Sequence, residues 1–276
     1  MKHHVHVEPL PNWLPADQLL GEGAWEIAEQ AGWAQASARL ETAVAADLAA
    51  RLRGVVLAGQ HIKVEITPPL SRQAVRAGRL DEARRQRDRS PGFTRPGVRI
   101  DAGTRLGLTP ESLALDLGHR ASGSHVIDAC CGAGGNAIGF ARAGCTVTAI
   151  EIDPTRLEMA KHNAAVYGVA DRIEWLHGDA RALLPSLAAQ SGSLWFVDVP
   201  WQNAPDETSE TPTADNTMRA LLNDILALRP AAQPMWAKVP AAFDPACIVG
   251  AQPRACFGAG SGDAQRVKFL ILEINT

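Results

Sequence analysis

The chain has 276 residues, 46% hydrophobic and 21% charged, with a formal net charge of −3. That balance fits one large globular domain, or a domain with an extension, and argues against a generic polyanion binder. There is no apolar run of about 18 residues for a membrane span, and the opening MKHHVHVEPLPNW lacks the apolar centre of a secretory signal. Five cysteines without a Cys-x-x-Cys pair point to a reduced, cytoplasmic setting.

Pro9, Pro11 and Pro15 punctuate the start. His3, His4 and His6 read there as a flexible terminus rather than a designed metal site, and no metal is expected. An alanine-rich helical pattern runs from about Ala24 to Arg53, with Trp13, Trp25 and Trp33 filling a small helical core. Val55–Leu57 and Ile62–Ile66 suggest a short β pair, stopped by Pro68 and Pro69. Ser71 caps a basic helix to about Arg89, broken at Ser90-Pro91-Gly92. From Arg72 to Arg105 ten arginines face Asp81, Glu82, Asp88 and Asp101, a local balance of +6. Forked guanidiniums suit phosphate; a solvated helix face explains the same run. Thr109-Pro110-Glu111 starts another helix, to about Gly118.

From Val126 the chain alternates strand and helix as a parallel sheet does. VIDACCGAGGNA (Val126–Ala137) gives a strand ending at Asp128, then a tight turn at Gly132, Gly134 and Gly135, then a helix from Asn136 whose first amides face a crevice. Gly132, Gly134 and Ala137 also satisfy the dinucleotide pattern. A second strand, Thr146–Ile150, ends at Glu151, where a carboxylate accepts both ribose hydroxyls of either NAD or S-adenosylmethionine. Asp153 caps the helix Pro154–Tyr167, which places Leu157, Ala160 and Ala164 on one face. A third strand, Arg172–His177, ends in Gly178-Asp179-Ala180, offering a carboxylate to an adenine amine. A fourth, Leu194–Val199, ends in Asp198-Val199-Pro200-Trp201. Later elements are helices near 216–228 and 244–249 and strands near 234–239, 254–257 and 267–272, giving seven strands, mostly parallel, with an antiparallel final pair. Cys130 and Cys131 read as small packing residues beside the ligand. His119, His125, His162 and His177 are scattered and read as structural. Acidic ends on three strands, followed by an acidic Pro-aromatic turn, resemble a class I methyltransferase. Neither a nicotinamide site nor a hydride partner is evident for a dehydrogenase.

Three stretches carry a closer resemblance: GVRIDAGTRLGLTPESLA (Gly97–Ala114), VIDACCGAGGNAIGFA (Val126–Ala141) and the long Val147–Asp179 segment. Together they resemble the RNA cap guanosine-N2 methyltransferase family, of the trimethylguanosine synthase type, from about Gly97 onward. The alanine- and arginine-rich composition suggests a bacterial member. The resemblance implies a Rossmann-like domain over 97–276; residues 1–96, mostly outside it, read as a mainly helical extension for substrate recognition. It implies that Asp128, Glu151 and Asp179 hold S-adenosylmethionine, with Cys130, Gly132, Gly134, Asn136, Ile152 and Ala180 around it and Thr109-Pro110 closing the site. The family's Ser-Pro-Pro-Trp motif stands here as Asp198-Val199-Pro200-Trp201. It makes Asp198, Pro200 and Trp201 the catalytic turn, with Trp201 stacking on the base. Asn203, Arg95 and Arg99 are the further substrate contacts. The expected acceptor is the N2 amine of guanosine in RNA or a cap-like nucleotide. Two alternatives are a small amine-bearing metabolite and an RNA-binding protein that keeps the cofactor pocket without turnover.

Overall fold

The computed structural model describes residues 1–187, 192–200 and 214–275. The chain forms two compact units: residues 1–90, 240–249 and 253–270 make the first, and 91–239, 250–252 and 271–276 the second.

In the first unit β1 (Lys2–Pro11), β2 (Glu26–Glu29), β3 (Trp33–Glu41) and β6 (Lys63–Thr67) form an antiparallel sheet in the order β2-β3-β1-β6. The expected mainly helical extension is therefore corrected. In β3, Ala34, Ala36, Ala38 and Leu40 point inward at every second position and the residues between are polar. Period-two burial overrides the helix propensity of alanine, because one face of the strand covers the core. Only the end of the alanine-rich stretch is helical, as α2 (Thr42–Arg51). The terminus is likewise a strand, with Val5, Val7 and His3 buried. The His3 ring hydrogen-bonds the Pro68 carbonyl at 2.7 Å and the Thr42 hydroxyl at 3.1 Å. His3 is a satisfied core histidine and not part of a flexible end.

A short helix α1 (Ala16–Leu20) follows β1, and β4 (Val56–Leu57) pairs with β5 (Gln60–His61). α3 (Arg72–Arg85) is capped by Ser71, whose hydroxyl accepts from the Ala74 amide at 3.2 Å. It packs on α2 through Gly78, where a methyl group would sit 2.5 Å from the Ala46 carbonyl. Arg84 and Arg85 pair with Asp81, Glu82 and Asp47. Arg72, Arg76 and Arg79 are exposed, and none has an ion pair among the described residues. Their spacing of four and three puts them on one helix face.

The strands of a seven-stranded sheet are β7 (His125–Asp128), β8 (Thr146–Glu151), β9 (Ile173–His177), β10 (Leu194–Val197), β11 (Met235–Val239), β12 (Gln252–Phe257) and β13 (Val267–Ile274). Five of them, β7 to β11, lie in the second unit. The sheet has the order β12-β13-β11-β10-β7-β8-β9, and the four pairings from β11 to β9 are parallel. The central strands are near-continuous apolar runs, as a sheet covered on both faces requires. The helices are α4 (Ala102–Gly107), α5 (Glu111–Arg120), α6 (Gly135–Arg142), α7 (Pro154–Tyr167), α8 (Ala180–Leu187) and α9 (Ala214–Leu228). Where a helix was expected near 244–249 there is a single 3-10 turn, Pro245–Cys247. After β7 the chain adds β8 and β9 on one side, then returns to place β10 on the other. Strand order reverses between β7 and β10, and the crevice at such a switch point is where ligands bind in open parallel sheets. No described helix is long and apolar enough to cross a membrane.

Candidate active site

The cleft opens at the carboxyl ends of β7, β8, β9 and β10 and has a volume of about 280 Å³. The glycine loop forms its floor. It is tied to the sheet by the Ala129 amide on the Phe196 carbonyl and the Cys131 amide on the Ile150 carbonyl, both at 2.9 Å. Gly134 closes the turn at φ +87° and caps α6. A side chain there would meet Ala160 of α7 at 3.1 Å.

At the end of β8, the two oxygens of Glu151 each hold one backbone amide: Gly132 at 2.8 Å and Asp153 at 2.9 Å. This leaves each oxygen acceptor capacity toward the cleft. Ile152, although apolar, is 63% exposed at the mouth and offers a flat platform. Asp179 and Ala180 line the rim. The Asp179 carboxylate is held by the Arg181 guanidinium at 2.7 Å, and that pairing lowers its pKa.

Beneath the cleft Asp128 is fully buried, and neither of its oxygens has a hydrogen-bond partner among the described residues. Burial, reinforced by Asp198, pushes its pKa up to about 8, with the Cys130 and Ala137 amides acting in the opposite sense. The Asn136 Oδ1 and Thr109 Oγ1 atoms are also buried, with no partner among the described residues. Burial likewise raises the thiols of Cys130 and Cys131 well above the ordinary range, so neither is a thiolate nucleophile.

Asp198, Val199 and Pro200 follow β10 and line the same cleft, Val199 being buried. One oxygen of Asp198, Oδ2, accepts from Asn136 Nδ2 at 2.9 Å and from Lys238 Nζ at 2.7 Å. Trp201 and Asn203 lie outside the described residues.

The approach segment from Gly97 to Thr109 forms one wall. Asn163 of α7, wholly buried, donates to the carbonyls of Arg99 (2.8 Å) and Ala133 (3.0 Å) and accepts the Arg99 amide (2.7 Å). Arg156, which lines the cleft, pairs with Asp101, the cap of α4, at 3.0 Å. Thr109 reaches the cleft, whereas Pro110 sits behind it as the cap of α5. Arg95 and Arg99 are exposed and do not line the cleft. Arg95 instead lies 5.0 Å over the Tyr167 ring and donates to the Val166 carbonyl.

Three residues escaped the sequence reading: Lys238, Asn163 and Arg156. A lone lysine inside the apolar run Met-Trp-Ala-Lys-Val was a readable signal. Asn163 and Arg156 had none, because each looks like a polar helix position until α7 is seen under the approach segment.

A parallel sheet of this order, a left-handed glycine turn into α6 and carboxylates closing four strands make a Rossmann-like domain whose crevice resembles that of the S-adenosylmethionine-dependent methyltransferase class. The donor set fits that cofactor. An acidic, partly unpaired cavity suits an organic cation, and Glu151 beside an apolar platform suits a nucleoside. Residues 123–206 match the model of the RNA cap guanine-N2 methyltransferase family, so the resemblance read from the motifs holds over this segment. The trimethylguanosine synthase of Schizosaccharomyces pombe is 34% identical over 137 residues, 47% of this chain and 56% of that protein. A probable cobalt-precorrin-6B C(15)-methyltransferase of Pyrobaculum aerophilum is 39% identical over 79 residues, 28% of this chain and 40% of that protein. The chain thus spans about half the length of the curated relatives it matches. Among solved structures, a Salinibacter ruber RNA methyltransferase with S-adenosylhomocysteine shares 19% identity and a TM-score of 0.38, over 64% of this chain and 94% of that one. An O-methyltransferase from Bacillus cereus shares 14% identity and a TM-score of 0.40, over 76% and 93%.

Proposed function

We propose that the protein transfers a methyl group from S-adenosylmethionine to the exocyclic N2 amine of a guanosine, in RNA or a cap-like nucleotide. The observation that carries the reading is Asp198. Its carboxylate stands in the cleft at the switch point, Oδ2 is fixed by two donors, and Oδ1 has no partner among the described residues. The resemblance of residues 123–206 to the matched family supports guanosine N2 as the acceptor.

When bound, the cofactor supplies a methyl group activated on a sulfonium. Glu151 would hold the ribose hydroxyls, Ile152 the adenine face, Asp179 its amino edge, and Asp128 with Asn136 the polar tail. The protein's own contribution is orientation. An exocyclic guanine amine is a poor nucleophile because its lone pair is delocalised into the ring. Asp198 Oδ1 accepts a hydrogen bond from that N–H, draws the nitrogen toward a pyramidal shape, and stabilises the positive charge that develops on it. The carbonyls of the Val199-Pro200 turn are further acceptors, and Trp201 would stack on the base, worth about 1–3 kcal/mol.

Calorimetry with S-adenosylhomocysteine, then with 7-methylguanosine nucleotides added, tests the reading alongside transfer of labelled methyl to guanosine-containing RNA. Micromolar cofactor binding together with label on guanine N2 is the expected result. Cofactor binding with no labelled guanosine overturns the acceptor, and no cofactor binding overturns the enzyme.

A further inference from the structure

All five residues of β11, Met-Trp-Ala-Lys-Val, are buried, and the Lys238 side chain is 2% exposed. An ammonium so far from water carries a heavy desolvation cost unless it is paired and hydrogen-bonded. Lys238 meets that cost at the cleft: its Nζ donates to Asp198 Oδ2 at 2.7 Å and to the Gly107 carbonyl at 2.9 Å. Asn136 gives the same Oδ2 a second donor at 2.9 Å. One oxygen of Asp198 is therefore saturated from behind, and the other has no partner among the described residues.

We infer that Lys238 is a positioning residue for methyl transfer: it locks Asp198 by Oδ2 so that Oδ1 alone meets the acceptor amine, and it anchors the end of α4 by the same ammonium. The inference rests on the guanosine-amine reading above. It also accounts for the chain's departure from the resembled Ser-Pro-Pro-Trp motif. A serine in that place is neutral, whereas Asp198 brings a carboxylate close to the buried Asp128. The lysine supplies the counter-charge, and a rigid fork replaces a rotating hydroxyl. Gly107 precedes Leu108 and Thr109, both of which line the cleft, so acceptor geometry and the approach wall share one anchor.

Steady-state kinetics on four full-length proteins tests this: wild type, Asp198→Asn, Lys238→Met and the double variant, each with S-adenosylhomocysteine affinity measured in parallel. Lys238→Met is expected to lower kcat roughly 100-fold, the penalty of a displaced reacting group, while the KM for the guanosine acceptor moves less than about threefold. In the Asp198→Asn background the same substitution is expected to change kcat little, because the group it positions is already gone. If Lys238→Met does not fold, comparison of Asp198→Asn with the double variant, which buries no unpaired charge at this site, still decides the matter. Equal losses in both backgrounds mark a merely structural lysine and overturn the role. An active wild type with an unaltered Lys238→Met overturns it alone. An inactive wild type that binds the cofactor analogue overturns the acceptor reading and this role together.

Discussion

Replacing Asp128 with asparagine isolates the electrostatic cost of the acidic floor. The carboxyl is fully buried, and its pKa rises from 3.8 to about 8. A raised carboxyl means that the folded chain holds this proton more tightly than the unfolded chain. The penalty is absent below the unfolded value of 3.8, grows through the interval up to about 8, and is complete above it. At about 1.4 kcal/mol per pH unit, the group costs the native state roughly 4 kcal/mol at pH 7. Asparagine cannot ionise, so Asp128→Asn should gain on the wild type by up to about 1.4 kcal/mol per unit between pH 4 and pH 8. Urea unfolding at pH 5, 6, 7 and 8 measures this as a difference of slopes, in which any constant packing change from the amide cancels. Parallel stability curves for the two proteins refute the reasoning.

Gly134→Ala places a side chain at φ +87° against Ala160; a left-handed cost of about 1–2 kcal/mol should lower the melting temperature by roughly 2–8 °C. An unchanged melting temperature would mean the turn does not take this conformation in solution. Changing Arg72, Arg76 and Arg79 together to glutamine should lower the salt slope for single-stranded RNA by about 2, at roughly 0.7 per phosphate contact. Transfer to a short nucleotide should be unaltered. An unchanged slope assigns that helix face to solvent.

The second unit was readable because four of its strands, most of them apolar runs, end in or are followed by a chemically telling residue: Asp128, Glu151, Asp179, Asp198. Nothing but a parallel sheet explains four such runs at helix-length spacing. The first unit was misread for a specific reason. In Trp33–Glu41 alanine is both a strong helix former and small enough to pack inward on a sheet, so composition and alternation disagreed, and burial followed the alternation. His3 looked like part of a loose end because its partners, Pro68 and Thr42, are remote in sequence. The loop of the cleft and the approach segment were legible, but Asn163 and Arg156 were not, because they act through backbone carbonyls and a cap that only the folded chain brings near. Lys238 showed only as a lone lysine in an apolar run.

Chain order gives the first unit an unusual schedule. Its founding strand β1 lies between β3 and β6, yet several of its closing bonds come from residues near the other end of the sequence. Ala58 and Gly59 donate to the carbonyls of Ala241 and Ala242, both at 2.9 Å, and the Ser90 hydroxyl donates to Asp263 at 2.8 Å. Arg51 reaches the Gln265 carbonyl at 3.3 Å. During synthesis at about 5–20 residues per second, the opening ninety residues wait roughly 10–30 s for those partners while residues 91–239 emerge. A stop codon or a protease cut after β11 would remove the Asp263 acceptor of Ser90 and one of the acceptors of Arg51.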